Sequence, residues 1–135
     1  MPLVRIDLVR GRSPEKVRAI ADAAHRAVIE VLRLPERDRF QIVTQHDPEE
    51  IIAEDVGLGF RRSAGVVIVH VFTQRGRSTG DKQQLYKTLA ERLARAGVDG
   101  KDLFIGYSEN GPADWSFADG RAQYLEGDLP LPGGR

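Results

Sequence analysis

Four residues have side chains or positions that could act together on a small oxygen-rich substrate: Pro2, Asp38, Arg75 and Arg77. Proline at position two is small enough for the initiator methionine to be removed. Its nitrogen then becomes a rigid secondary amine. An α-amine titrates near 8, so modest shifts make it a neutral base or a charged acid around neutral pH. With Met1 attached the same nitrogen is an amide and can be neither. Arg75 and Arg77, two apart in a loop, can direct two guanidinium forks to one side, and Ser78 opens a helix whose first amides also favour anions. That combination describes a carboxylate site. Asp38 lies between Arg37 and Arg39. Taken singly, each residue has an ordinary reading as a common second residue, solvated loop cations and a surface ion pair, so their weight depends on what brings them together.

Composition removes several other chemistries. The 135 residues contain no cysteine, which excludes disulfides, thiolate ligands and a cysteine nucleophile. His25 fits a helix, His46 a strand end and His70 a strand, with no metal-ligand spacing among them. We expect no metal site, and find neither a phosphate-binding glycine loop nor a nucleophile elbow. Twenty Lys plus Arg balance twenty Asp plus Glu, so no net field recruits nucleic acid or an anionic membrane. The start lacks a signal-like apolar core, and no apolar run approaches the ~18 residues of a membrane span. A soluble, cytoplasmic protein is expected.

The elements that must position these residues come from a repeat. Arg10-Gly11-Arg12-Ser13 recurs as Arg75-Gly76-Arg77-Ser78, each time after an apolar segment and before a helical pattern. Val4, Ile6 and Leu8 alternate with polar residues, the period of a half-buried strand. Val66 to Phe72 is almost wholly apolar and predicts a strand covered on both faces. After Ser13, Pro14 begins a helix marked by Val17, Ile20, Ala21, Ala24, Val28 and Val31. After Ser78, which forms a capping box with Asp81, Leu85, Leu89 and Leu93 mark a second helix ending near Gly97. Further strands are expected at Arg39–His46 and Leu103–Tyr107.

The resulting class is α+β: two fused βαβ units related by a pseudo-twofold axis, with a four-stranded mixed sheet and two helices on one face. One domain is expected over 2–135, with halves at about 2–46 and 65–108 and a tail from 109 to 135. The right-handed crossover makes the strands of each half parallel, while the twofold makes the two first strands antiparallel. Pro2, Asp38 and the Arg75/Arg77 pair then meet at one sheet edge. Arg10 and Arg12 lie at the other end of the first strand, some eight residues away at ~3.3 Å each. Trp115 and Phe117 are core residues, a subunit contact or a pocket wall.

Pro2, Asp38-Arg39, Gln45-His46, Glu54-Asp55 followed by Gly57-Leu58-Gly59, Arg75-x-Arg77, and Glu109-Asn110 with Ala113-Asp114-Trp115-Ser116-Phe117 occur along nearly the whole chain. In this order they resemble the malonate semialdehyde decarboxylases of the tautomerase superfamily. The resemblance implies Pro2 as the catalytic amine, Arg75 and Arg77 as carboxylate binders, Asp38 as the residue that orients or activates water, and Trp115 and Phe117 as an apolar wall. It also implies a homotrimer acting without cofactor on a small oxo acid. One departure is Gly76 between the arginines, where that family is expected to have proline. The same residues would serve keto-enol tautomerisation of a phenylpyruvate-like acid or hydration of an unsaturated acid. A non-catalytic βαβ-repeat binding module is the reading from a different class.

Overall fold

The computed structural model describes residues 1–131; the last four residues of the expected 109–135 tail lie outside the described residues. Strand β1 (Leu3–Val9) leads to helix α1 (Pro14–Leu32) and strand β2 (Gln41–His46), and β3 (Val67–Gln74) leads to α2 (Thr79–Arg95) and β4 (Leu103–Asn110). The sheet order is β2-β1-β3-β4. The outer pairs β1/β2 and β3/β4 are parallel, and the central pair β1/β3 is antiparallel. This is the α+β arrangement expected from two crossover units with antiparallel first strands.

Both helices start as their sequences predict. Ser13 accepts a hydrogen bond from the Lys16 amide with Pro14 in the first turn, and the Ser78 hydroxyl and Asp81 carboxylate close a reciprocal capping box. Gly11 and Gly76 occupy the same place in the two repeats and share nearly the same backbone, with φ of 134° and 132°. A side chain is strained there, which accounts for glycine between the arginines. Helix α2 ends at Arg95, and Gly97, at φ 91°, reverses the chain just beyond.

The core lies between the helices and one face of the sheet. Val4, Ile6, Leu8, Val67, Val69 and Val71 meet Ile20, Ala24, Val28, Leu85, Leu89 and Leu93 there. In β3, Val67, Val69 and Val71 are buried while Ile68, His70 and Phe72 keep partial exposure. That corrects the expected two-sided covering: among the described residues no helix lies over the second face, where only the loop at 52–56 and Arg62 approach Ile68 and Phe104, so its apolar residues are half-open. β3 also runs two residues past Phe72, because Thr73 and Gln74 continue the pairing with Glu109 and Asn110. That extension carries the strand into the candidate site.

Candidate active site

The sheet register assembles the site. Leu3 pairs with Phe72 in the antiparallel ladder. Continuing that register sets Pro2 beside Thr73 and Met1 beside Gln74. On the other side, the Val4 amide bonds the Phe40 carbonyl at 2.9 Å, which draws the segment before β2, including Asp38, alongside the chain start. Pro2 is buried. Thr73 and Gln74 are 0% and 1% exposed, so the end of β3 presents polar groups in a dry environment.

Hydrogen bonds radiate from the chain start. The Met1 ammonium donates to the Tyr124 hydroxyl at 3.2 Å, and the Thr73 hydroxyl lies 3.5 Å from the Met1 carbonyl oxygen. Arg77 donates from Nη1 to the Thr73 hydroxyl at 3.0 Å and to the Gln74 carbonyl at 3.3 Å. Arg77 and Thr73 therefore form a polarised relay directed at the carbonyl carried on the Pro2 nitrogen. Three further buried polar groups have no hydrogen-bond partner: Asp38 Oδ1, both polar atoms of the Gln74 amide and the Tyr107 hydroxyl. Buried polar groups are nearly always paired, so this concentration marks a place with hydrogen bonds to give.

The electrostatics tie the same residues together. The Met1 ammonium is held below its usual value of 8.0, chiefly by burial, with Asp38 opposing and Arg77 reinforcing the shift. Asp38 lies above the usual carboxylate range because burial outweighs the attraction of the chain-start ammonium, His25 and Arg77. Burial also raises the Tyr107 and Tyr124 hydroxyls, and the charge of Asp38 adds to the rise at Tyr124. Perturbed groups packed around one cleft are what a site for proton chemistry requires.

The two arginines do not act alike. Arg77 is half-buried in the corner. Arg75 is exposed, its backbone amide bonds the Asn110 carbonyl at 2.8 Å, and its guanidinium lies against Gly111, where an added Cβ would come within 2.8 Å of Nη1.

An apolar wall completes the cleft. Met1, Pro2, Leu3, Phe40, Trp115 and Phe117 line a cavity of about 240 Å³. Trp115 stacks on Phe117 at 5.6 Å, and Phe117 meets Tyr124 edge-on at 5.4 Å. Asn110 accepts from the Trp115 indole at 2.8 Å and Gln123 accepts from the Phe117 amide at 2.9 Å, which pins the tail in place. A larger concavity of about 450 Å³ lies between α1 and residues 36–39, but the chain start does not line it. Size does not identify this site; the converging polar groups do.

The structure thus brings Pro2, Asp38, Arg77, Trp115 and Phe117 to one corner and leaves Arg75 at its rim. Thr73, Gln74, Tyr107 and Tyr124 are additions that the sequence reading lacked. Thr73-Gln74 had a usable signal, two polar residues closing an apolar strand directly before the arginines. Tyr124 had none, since it lies in a polar tail whose path depends on tertiary contacts. Among the described residues, no three His, Cys, Asp or Glu side chains cluster as metal ligands, and no helix is long and apolar enough to cross a membrane.

Comparison with known proteins agrees with this fold. Two tautomerase-enzyme family models match, one over residues 38–118 and one over residues 2–61. The probable tautomerase YrdN of Bacillus subtilis is 43% identical over 130 residues, 96% of this chain and 100% of that protein. The FG41 malonate semialdehyde decarboxylase, solved inhibited by 3-bromopropiolate, is 58% identical with a TM-score of 0.94, covering 96% of this chain and 99% of that one. A second malonate semialdehyde decarboxylase, described with decarboxylase and hydratase activities, is 41% identical with a TM-score of 0.90 over 94% and 98% of the two chains. This chain belongs to the tautomerase superfamily of enzymes.

Proposed function

We propose that the processed chain, beginning at Pro2, decarboxylates a small 3-oxo acid such as malonate semialdehyde. The observation that carries this reading is the position of the Met1 carbonyl. It is bonded to the Pro2 nitrogen and faced by the Arg77–Thr73 relay. When Met1 is removed, an oxygen of the substrate carboxylate can take that place beside the freed amine. The similarity to two decarboxylases, one inhibited by a short acetylenic carboxylate, supports the same choice.

The chemistry follows from charge flow. The bond between the carboxylate carbon and C2 breaks, and its electron pair forms a C2–C3 double bond while charge moves to the aldehyde oxygen. A protonated Pro2 donates to that oxygen and stabilises the developing enolate. Carbon dioxide leaves, and the enol takes a proton at C2 while its hydroxyl proton returns to Pro2, which gives acetaldehyde and regenerates the cationic amine. Arg77 holds the carboxylate, with Arg75 at the rim, so that the breaking bond stands out of the carbonyl plane. This binding has a cost, because the carboxylate loses its charge as the bond breaks; Pro2 must gain more than the arginines lose. Asp38 favours the cationic amine and orients water for product protonation. Trp115 and Phe117 keep bulk water from the enolate.

A second reading has its own support. The chain-start ammonium is lowered, chiefly by burial, and a neutral amine is the base a keto-enol tautomerase needs. The resemblance to a probable tautomerase points the same way. Hydration of an unsaturated acid would use the same groups. Product analysis separates them: the leading reading expects carbon dioxide from the 3-oxo acid, whereas C3 deuterium exchange of phenylpyruvate without carbon dioxide release would overturn it. A binding module would give neither.

We further propose that residues 2–135 act as one domain in a cytoplasmic homotrimer that binds no nucleic acid. Phe40, Ile42 and Phe104 are each more than 40% exposed beside the half-open residues of the sheet face away from the helices. Contact between copies would remove that apolar surface from water.

A further inference from the structure

The first Arg-Gly-Arg-Ser motif has no part in the proposed chemistry, yet symmetry gives it a counterpart to every charged group of the candidate site except the amine. Arg10 and Arg12 correspond to Arg75 and Arg77 in the repeat. Val4 faces Gln41 in the first half, and its counterpart Val69 faces Ile105 in the second. Gln41 therefore corresponds to Ile105. Three residues before each stand Asp38 and Asp102. The counterpart of Pro2 is Val67, whose nitrogen is a peptide amide in mid-chain.

The two corners hold the same charged pair but differ in what fills them. At the second corner, Arg12 donates from Nη2 to the Gly65 carbonyl at 2.9 Å, in the segment entering β3, whereas Arg77 at the first donates to the Thr73 hydroxyl of its own preceding strand. Asp102 is 7% exposed and accepts from the Ser63 amide at 2.6 Å and the Ser63 hydroxyl at 2.5 Å. Asp38 has a buried oxygen with no partner. Gly65 is wedged so tightly that an added Cβ would meet Ser63 Oγ, Asp102 Oδ2 and Arg12 Nη2 at 3.2, 3.3 and 3.4 Å. Arg62 adds bonds to the Glu54 and Lys101 carbonyls, so the segment entering β3 is fastened along its length.

We infer that the Arg12–Asp102 corner is a second copy of the Arg77–Asp38 corner, closed by the chain's own residues 63–67 and converted from chemistry to holding that segment. It uses the proposed role of Asp38 only as a contrast. The same aspartate, in the same register, is satisfied by serine where it supports the fold and left unsatisfied where it faces a reacting group.

The test compares Asp102→Ala, Ser63→Ala and Asp38→Ala by thermal unfolding, hydrogen exchange and steady-state turnover. Asp102→Ala should lower Tm by about 5–10 °C, since it removes two charge-assisted bonds and leaves the Ser63 amide orphaned. It should speed amide exchange at residues 62–67 and leave kcat/KM within about twofold, as expected for a site remote from the reaction. Ser63→Ala should move Tm and exchange in the same direction by less, which keeps the test open if Asp102→Ala fails to fold. Unchanged Tm and exchange in either variant would overturn the inference. So would a folded Asp102→Ala protein whose turnover falls as far as that of Asp38→Ala. The stability and exchange arms need no substrate, so they stand whichever reaction the enzyme performs.

Discussion

Replacing Asp38 with alanine is expected to raise stability while removing activity. Burial pushes this carboxyl above its usual range against the pull of the chain-start ammonium, His25 and Arg77, so the charged form is a net cost to the fold. Its Oδ1 is buried without a partner, and an orphaned polar atom of this kind costs about 1–3 kcal/mol. Allowing for the lost attractions, Asp38→Ala should gain about 1–2 kcal/mol at pH 7, roughly 3–8 °C in Tm for a chain of this size. The pH dependence has a definite sign. With the folded pKa above the unfolded one, the native state holds more protons between the two values, and the stability of the natural protein falls as pH rises through that window. The advantage of Asp38→Ala should therefore be full at neutral pH and fade toward and below 3.8, where the carboxyl is protonated in both states. Turnover should drop about 10²–10⁴-fold, the scale of a positioned group in proton transfer. Urea melts of both proteins at pH 7 and at pH 3.5, with steady-state kinetics at pH 7, measure all three effects. An Asp38→Ala protein less stable than its parent at pH 7, or one whose advantage persists unchanged in acid, would refute the reasoning.

Two other predictions concern the arginines and the amine. Arg77→Ala should raise KM by about 10–100-fold, because it removes a charged hydrogen bond in a partly dry corner, whereas exposed Arg75→Ala should cost clearly less; kinetics showing the reverse order would contradict the geometry. In the processed protein, a titration of nitrogen-labelled Pro2 by NMR should show Asp38→Asn lowering the midpoint and Arg77→Ala raising it, as the same neighbours act on the Met1 ammonium. The decarboxylase reading expects the unsubstituted midpoint above about 8, and a value well below neutrality would favour the tautomerase.

Much of this site was legible because its positions follow from period and topology. The repeat located both arginine loops, and the crossover rule with a pseudo-twofold placed Pro2, Asp38 and Arg77 at one sheet edge without any side-chain detail. Three features escaped. β3 outran its apolar run because backbone pairing with Glu109 and Asn110, not hydrophobicity, decides where it stops. Arg75 and Arg77 were read as a clamp; their different surroundings, Arg75 exposed beside Gly111 and Arg77 half-buried on Thr73, do not follow from spacing alone. Tyr124 reaches the site through the tail, whose course depends on Asn110, Gln123 and the aromatic stack, contacts between residues with no periodic pattern.

The central claim is that a free Pro2 amine drives loss of carbon dioxide. Its most direct measurement is the release of labelled carbon dioxide from carboxyl-labelled malonate semialdehyde by three proteins of verified intact mass: the processed chain, the chain retaining Met1, and processed Pro2→Ala. The account predicts stoichiometric carbon dioxide and acetaldehyde from the first, and turnover lowered at least about 10²-fold in the other two, since the Met1 chain has its ammonium one residue away from the site and Pro2→Ala replaces the rigid secondary amine with a mobile primary one. Equal rates from all three would contradict it.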